Sequence, residues 1–131
     1  MSYTIKNLRD VEDVAPKHGF SETQQARFAG GELDAEDTGL AYHVVHAGKR
    51  QAFAHRHEKA EEIYVVLSGS GQVKLDDEVR DIRPLDAIRV EPKTARAFAA
   101  GDENLELLAF GPAHRGDGEI LREDFWGDSA G

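Results

Sequence analysis

The chain contains no cysteine. A disulfide framework is therefore excluded, and so is a thiolate metal site; a transition metal in this protein has only imidazole and carboxylate to bind it. It also lacks any stretch approaching the ~20 consecutive apolar residues that span a bilayer. The opening Met-Ser-Tyr-Thr-Ile-Lys-Asn-Leu-Arg-Asp carries charges where a secretory leader needs an apolar run, so a cytoplasmic protein is expected. Basic residues are in short supply, 16 Lys plus Arg against 25 Asp plus Glu, a net charge of −9. Such a surface repels phosphate backbones and anionic headgroups, which makes nucleic acid and membrane poor partners. No long helical period and no internal repeat is visible.

What is present is short and regular. With 131 residues the length suits one domain. From Gly39 onward apolar runs of four to seven residues alternate with Gly, Asp or Pro, as in an all-β chain of hairpins. The runs are Leu40 to His46, Phe53 to His57, Glu62 to Leu67, Gln72 to Leu75, Val79 to Ile82, Ala87 to Val90, Ala95 to Ala99 and Leu105 to Phe110. Between them lie turn formers such as Ser68-Gly69-Ser70-Gly71 and Asp76-Asp77-Glu78. Residues 1–38 read as N-terminal strands and connections packing on the barrel, with strand candidates over Tyr3 to Leu8 and ending at Ala29, then a Gly30-Gly31 turn. Residues 39–111 read as the barrel, and 112–131 as an acidic, polar surface tail in which Phe125-Trp126 could dock as an anchor.

The chemistry is concentrated in Phe53-Ala54-His55-Arg56-His57-Glu58-Lys59-Ala60-Glu61-Glu62-Ile63-Tyr64. Residues two apart on a strand share a face, so His55 and His57 project together and Arg56 points away. On the next strand Glu62, Tyr64 and Val66 share one face, while Glu61 has the parity of Ile63, Val65 and Leu67. Glu62 is thus preferred to Glu61 as the carboxylate that meets the imidazoles. Two His and one carboxylate with open positions suit Mn, Fe, Ni, Zn or Co as divalent ions. His43 and His46 have opposite parity on the preceding strand, so at most one faces the cavity. Both are read as hydrogen-bonded or exposed imidazoles, outside the metal site. His18 and His114 fall in loops.

Gly48, His55, His57, Glu62 and Gly69 together resemble the first motif of the cupin superfamily, with one extra residue between Gly48 and His55. The resemblance covers roughly Gly39 to Gly111. It implies a cupin-type double-stranded β-helix, a jelly-roll barrel, which the strand pattern independently asks for. The second cupin motif departs from the family: Asp86 and Pro92 fall in place, but Arg96 stands where a histidine usually supplies the last metal ligand. A guanidinium has no lone pair to donate and would repel a divalent cation.

Two arrangements follow. Either His55, His57 and Glu62 hold a metal alone while Arg96 turns to an anionic substrate, or Arg96 pairs with Glu62 and no metal binds. Arg96 as a surface charge, with Ala95, Ala97 and Ala99 as the inner face, is a third placement. Tyr64 and Phe98, matching Glu62 and Arg96 in parity, join Arg96 as ligand-binding candidates, although both also serve as barrel packing. The resemblance implies a metal-dependent oxygenase, isomerase or lyase acting on a small anionic, carboxylate-bearing molecule. The alternatives are a non-catalytic, metal-free binding barrel that uses Arg96 and, last, a purely structural role. Tyr3, Ile5, Leu8, Val11, Val14, Phe20 and Phe28 are too apolar for a free tail, so residues 1–30 are expected to pack on a second barrel in a homodimer.

Overall fold

A computed structural model describes residues 2–51, 53–113, 116–121 and 124–127. The strand candidate ending at Ala29 forms as β1 (Gln24–Phe28), and each of the eight apolar runs becomes a strand: β2 (Thr38–Val45), β3 (Ala54–His57), β4 (Glu62–Ser68), β5 (Gly71–Leu75), β6 (Glu78–Ile82), β7 (Ala87–Val90), β8 (Arg96–Ala100) and β9 (Leu105–Pro112). A tenth strand, β10 (Gly118–Leu121), forms inside the segment read from sequence as a surface tail. The helical pieces among the described residues are single 3₁₀ turns at Leu8–Asp10 and Pro16–His18.

The strands make two five-stranded sheets, β1-β2-β9-β4-β7 and β10-β3-β8-β5-β6, with every pairing antiparallel. From β2 to β10 the chain passes repeatedly from one sheet to the other. This is the jelly-roll, double-stranded β-helix path, and it covers the inner face of each sheet with the other.

The period of two decides which residues fill the space between the sheets. On β9, Leu105, Leu107 and Ala109 are buried while Glu106, Leu108 and Phe110 are only half-buried. Ala41 and Val45 of β2, Tyr64 and Val66 of β4, and Phe98 of β8 meet them in the core. Each fully buried Leu or Val contributes about 1.5–3 kcal/mol of transfer free energy. Gly69 makes the β4–β5 turn possible. Its φ is +75°, and a Cβ there would stand 2.1 Å from the Asn104 carbonyl oxygen, a place only glycine fits.

The ends of the chain differ from expectation. No strand forms over Tyr3 to Leu8, and Tyr3 and Ile5 are exposed. The next residues pack on the barrel of their own chain: Val11 and Ala15 are buried, and Asp13 Oδ1 accepts from the backbone N–H groups of Ala15 (3.0 Å) and Ala26 (2.9 Å). An Asp side chain that satisfies two backbone donors competes well with a ladder in so polar a segment. At the other end, β10 pairs with β3, Gly118 opposite His57 and Ile120 opposite His55. The Phe125 ring lies 4.8 Å from Lys74 Nζ and the Trp126 ring 4.9 Å from the Arg50 guanidinium, cation–π contacts that anchor this end.

Candidate metal centre

Strand β3 presents His55 and His57 on one face, their rings edge to face with centroids 5.2 Å apart. Arg56 points the other way and pairs with Glu119 of β10 at 2.9 Å. Glu62 opens β4 on the side of the imidazoles, while Glu61 turns outward to Arg89 (3.3 Å). One ligand atom from each of His55, His57 and Glu62 lies within 4.8 Å of the others.

A single oxygen organises this cluster. Glu62 Oε1 accepts from the Tyr64 hydroxyl (2.7 Å), and stands 3.1 Å from His57 Nε2, 3.5 Å from His55 Nε2 and 3.6 Å from Arg96 Nη1. The Tyr64 hydroxyl is also 3.3 Å from His55 Nε2. Burial pushes the Glu62 carboxyl up, but hydrogen bonds from His55, His57 and Tyr64 outweigh it and hold it well below the usual carboxylate range. Burial, helped by the neighbouring Glu62 charge, raises the Tyr64 phenol well above its ordinary value, so it stays a donor. His55 is shifted toward the neutral form by burial, which Glu62 opposes and Arg96 and His57 assist. Two imidazoles and an ionised carboxylate fit a divalent transition metal in donor type and in mutual distance.

Arg96 faces inward, not to solvent. Its side chain is 0% exposed, and its strand partner across to β3 is His55. Arg96 Nη2 donates to the Glu91 carbonyl at 2.9 Å, while Nε and Nη1 are buried without a hydrogen-bond partner. Nη1 reaches Glu62 as an ion pair, not as a hydrogen bond. Phe98, two residues on, packs against Tyr64 with ring centroids 4.8 Å apart.

Two further residues stand at this site: His43, which from sequence was expected to be hydrogen-bonded or exposed, and Asp117, which the sequence did not single out. His43 shares the inward parity of Ala41 and Val45, and its Nδ1 is buried with no hydrogen-bond partner. Burial and the nearby His55 lower it to about 4, with Glu62 opposing, so the ring is neutral near pH 7. The interior parity was the available signal. His46, of opposite parity, points out and its Nε2 meets the Ser21 carbonyl at 3.2 Å. His114 lies outside the described residues.

The second is Asp117, just before β10. Its carboxylate accepts from the backbone N–H groups of Glu58 (2.9 Å), Lys59 (3.0 Å) and Ala60 (2.8 Å), the turn that joins His57 to Glu62. Its Oδ2 stands 3.6 Å from His57 Nδ1. Burial disfavours the Asp117 charge, but the N–H groups of Ala60, Lys59 and Glu58 prevail and keep its carboxyl below the ordinary value. Gly116-Asp117-Gly118 has the look of a loop, and nothing local ties it to His57.

The comparisons agree with this geometry. Residues 41–111 match the family described as Cupin_2, cupin domain. The uncharacterized protein MJ1618 of Methanocaldococcus jannaschii is 34% identical over 85 residues, 63% of this chain and 67% of that protein. A cupin protein from Bacteroides fragilis (BF4112) superposes with a TM-score of 0.70 at 22% identity, covering 88% of each chain. The polyketide cyclase RemF from Streptomyces resistomycificus does so with a TM-score of 0.72 at 20% identity, over 89% of this chain and 82% of that one. At these identities the two structures speak for the fold alone. With its jelly-roll path, its His55-x-His57 and Glu62 on facing strands, and a family match over more than half its length, the chain belongs to the cupin family.

Proposed function

We propose that this cupin holds one divalent transition metal ion, Mn, Fe, Ni or Zn, on His55, His57 and Glu62, and binds a small anionic molecule beside it through Arg96. The observation that carries the reading is a three-donor N/N/O cluster next to a buried guanidinium with two nitrogens lacking hydrogen-bond partners. Buried polar groups are nearly always paired, so guanidinium nitrogens that have no hydrogen-bond partner beside the cluster favour an anionic ligand there. A bound metal would supply Lewis acidity or, with iron, dioxygen chemistry, which suits an oxygenase, isomerase or lyase. Arg96 would orient a carboxylate, and Tyr64 and Phe98 would wall the cavity. In this reading the chain works in the cytoplasm as a homodimer, its exposed Tyr3 and Ile5 covered by the partner; light scattering at micromolar concentration should give about twice the chain mass of 14.4 kDa.

A second reading has its own support: Arg96 Nη1 already faces Glu62 Oε1 at 3.6 Å. In that case the barrel is metal-free, and Arg96 with the imidazoles captures an anionic metabolite without catalysis. Elemental analysis of untagged protein purified without chelator, followed by calorimetric titration of wild type and Arg96→His, separates the two. The metal reading expects one ion per chain in the wild type and little change in metal affinity in the variant. A wild type that takes up no metal, beside a variant that does, establishes the second.

A further inference from the structure

We infer that Asp117 is a positioning residue for His57: it fixes the turn between the two ligand-bearing strands and presents a carboxylate to the ring nitrogen that faces away from Glu62. The inference deepens the metal reading above and rests on it for the metal affinity, though not for the ring orientation.

The argument starts from His57. Its Nε2 is directed at Glu62 Oε1 (3.1 Å), while its Nδ1 is buried, has no hydrogen-bond partner and lies 3.6 Å from Asp117 Oδ2. An imidazole that gives its Nε2 lone pair to a metal must carry its proton on Nδ1. A carboxylate on that side favours this tautomer and makes the ring a better donor. The Asp117 side chain is only 6% exposed, so the interaction is poorly screened.

The same carboxylate is tied to the backbone of Glu58, Lys59 and Ala60. It therefore sets the separation of His57 and Glu62 along the turn as well as the ring's orientation. The His57 ring also lies beside the start of β10: a Cβ built on Gly118 would meet its Cε1 at 3.6 Å, an ordinary van der Waals contact.

The test compares Asp117→Asn, which keeps an oxygen for the turn N–H groups but removes the charge facing Nδ1, with Asp117→Ala, which removes both. Glu119→Gln serves as a control that loosens β10 through Arg56 alone. Two quantities are read at fixed pH: Ni(II) affinity by calorimetry, and the His57 ring ¹⁵N resonances of the metal-free protein. Asp117→Asn is expected to bind Ni(II) about 10- to 100-fold more weakly and to shift the His57 resonances, with Glu119→Gln like wild type on both. Asp117→Ala should lower the melting temperature in addition. The inference is overturned if Asp117→Asn leaves the His57 resonances at their wild-type positions, or if Glu119→Gln moves them equally. A wild type that binds none of Mn(II), Fe(II), Ni(II) and Zn(II) would defeat the metal reading by itself, and the resonances would still decide the role of Asp117.

Discussion

Arg96 Nη1 stands 3.6 Å from Glu62 Oε1 inside the barrel, on the same oxygen that Tyr64 and His57 address. Arg96, in the place of the family's last histidine, is thus a neighbour of a proposed metal ligand. A cation beside this carboxylate lowers the negative charge available to a metal, yet keeps a positive group ready for an anion.

Replacing Arg96 by Met tests what the buried pair contributes. The guanidinium volume is roughly kept while Glu62 loses its counter-charge, although Tyr64 and the imidazoles still hydrogen-bond it. Because the Glu62 side chain is 19% exposed, the loss should fall below that for a fully buried pair, at about 1–3 kcal/mol. Urea denaturation of the metal-free protein at pH 7 measures it; an unchanged midpoint would mean that the pair is energetically neutral.

Tyr64→Phe removes the shortest hydrogen bond to Glu62, at 2.7 Å, with little change in packing against Phe98. Stability should fall by about 1–2 kcal/mol. The Glu62 carboxyl should also move up toward its ordinary value, a displacement that carboxyl ¹³C NMR over an acid titration would follow.

His43 gives the fold a pH dependence of definite sign. Its folded-state value is lowered from 6.5 to about 4, so between these values the unfolded chain binds more protons and stability rises with pH. The contribution is complete above pH 6.5 and is lost as pH falls toward 4, by about 3 kcal/mol at most. His55 is shifted in the same direction, and Glu62, whose value is depressed, adds a further loss below about pH 4.5. Denaturation midpoints of wild type and His43→Gln between pH 4 and 7 should diverge, with the flatter profile in the variant. Parallel profiles would show that His43 is not the source.

Gly69→Ala puts a methyl group against the Asn104 carbonyl and forces a side chain into a left-handed backbone. A cost above about 2 kcal/mol is expected, since neither backbone can withdraw without opening the β4–β5 turn. Thermal unfolding would detect it as a drop of several degrees.

How much of this was legible beforehand follows from what a period of two specifies. Alternation along a strand fixes which side chains share a face, so His55 with His57, Glu62 with Tyr64, and Arg96 with Phe98 were readable from the sequence. The spacing from His55 to Gly69 supplied the family resemblance, and the turn residues supplied nearly every boundary from β2 to β9. Local pattern does not say which of two faces turns inward when both are plausible, because that depends on the sheet packed opposite. His43 and Arg96 were placed by that packing: one stands beside Ala41 and Val45 in the core, the other against Glu62. Nor does it say which distant segments pair. Asp117 meets His57 only because β10 adds to β3 across a long connection, and the few residues of β10 carry too little apolar surface to announce the strand by themselves. The sequence by itself determined the faces and the donor types of the candidate site. Tertiary structure decided which face is inside and what stands behind each candidate donor, because those depend on contacts between residues far apart in the chain.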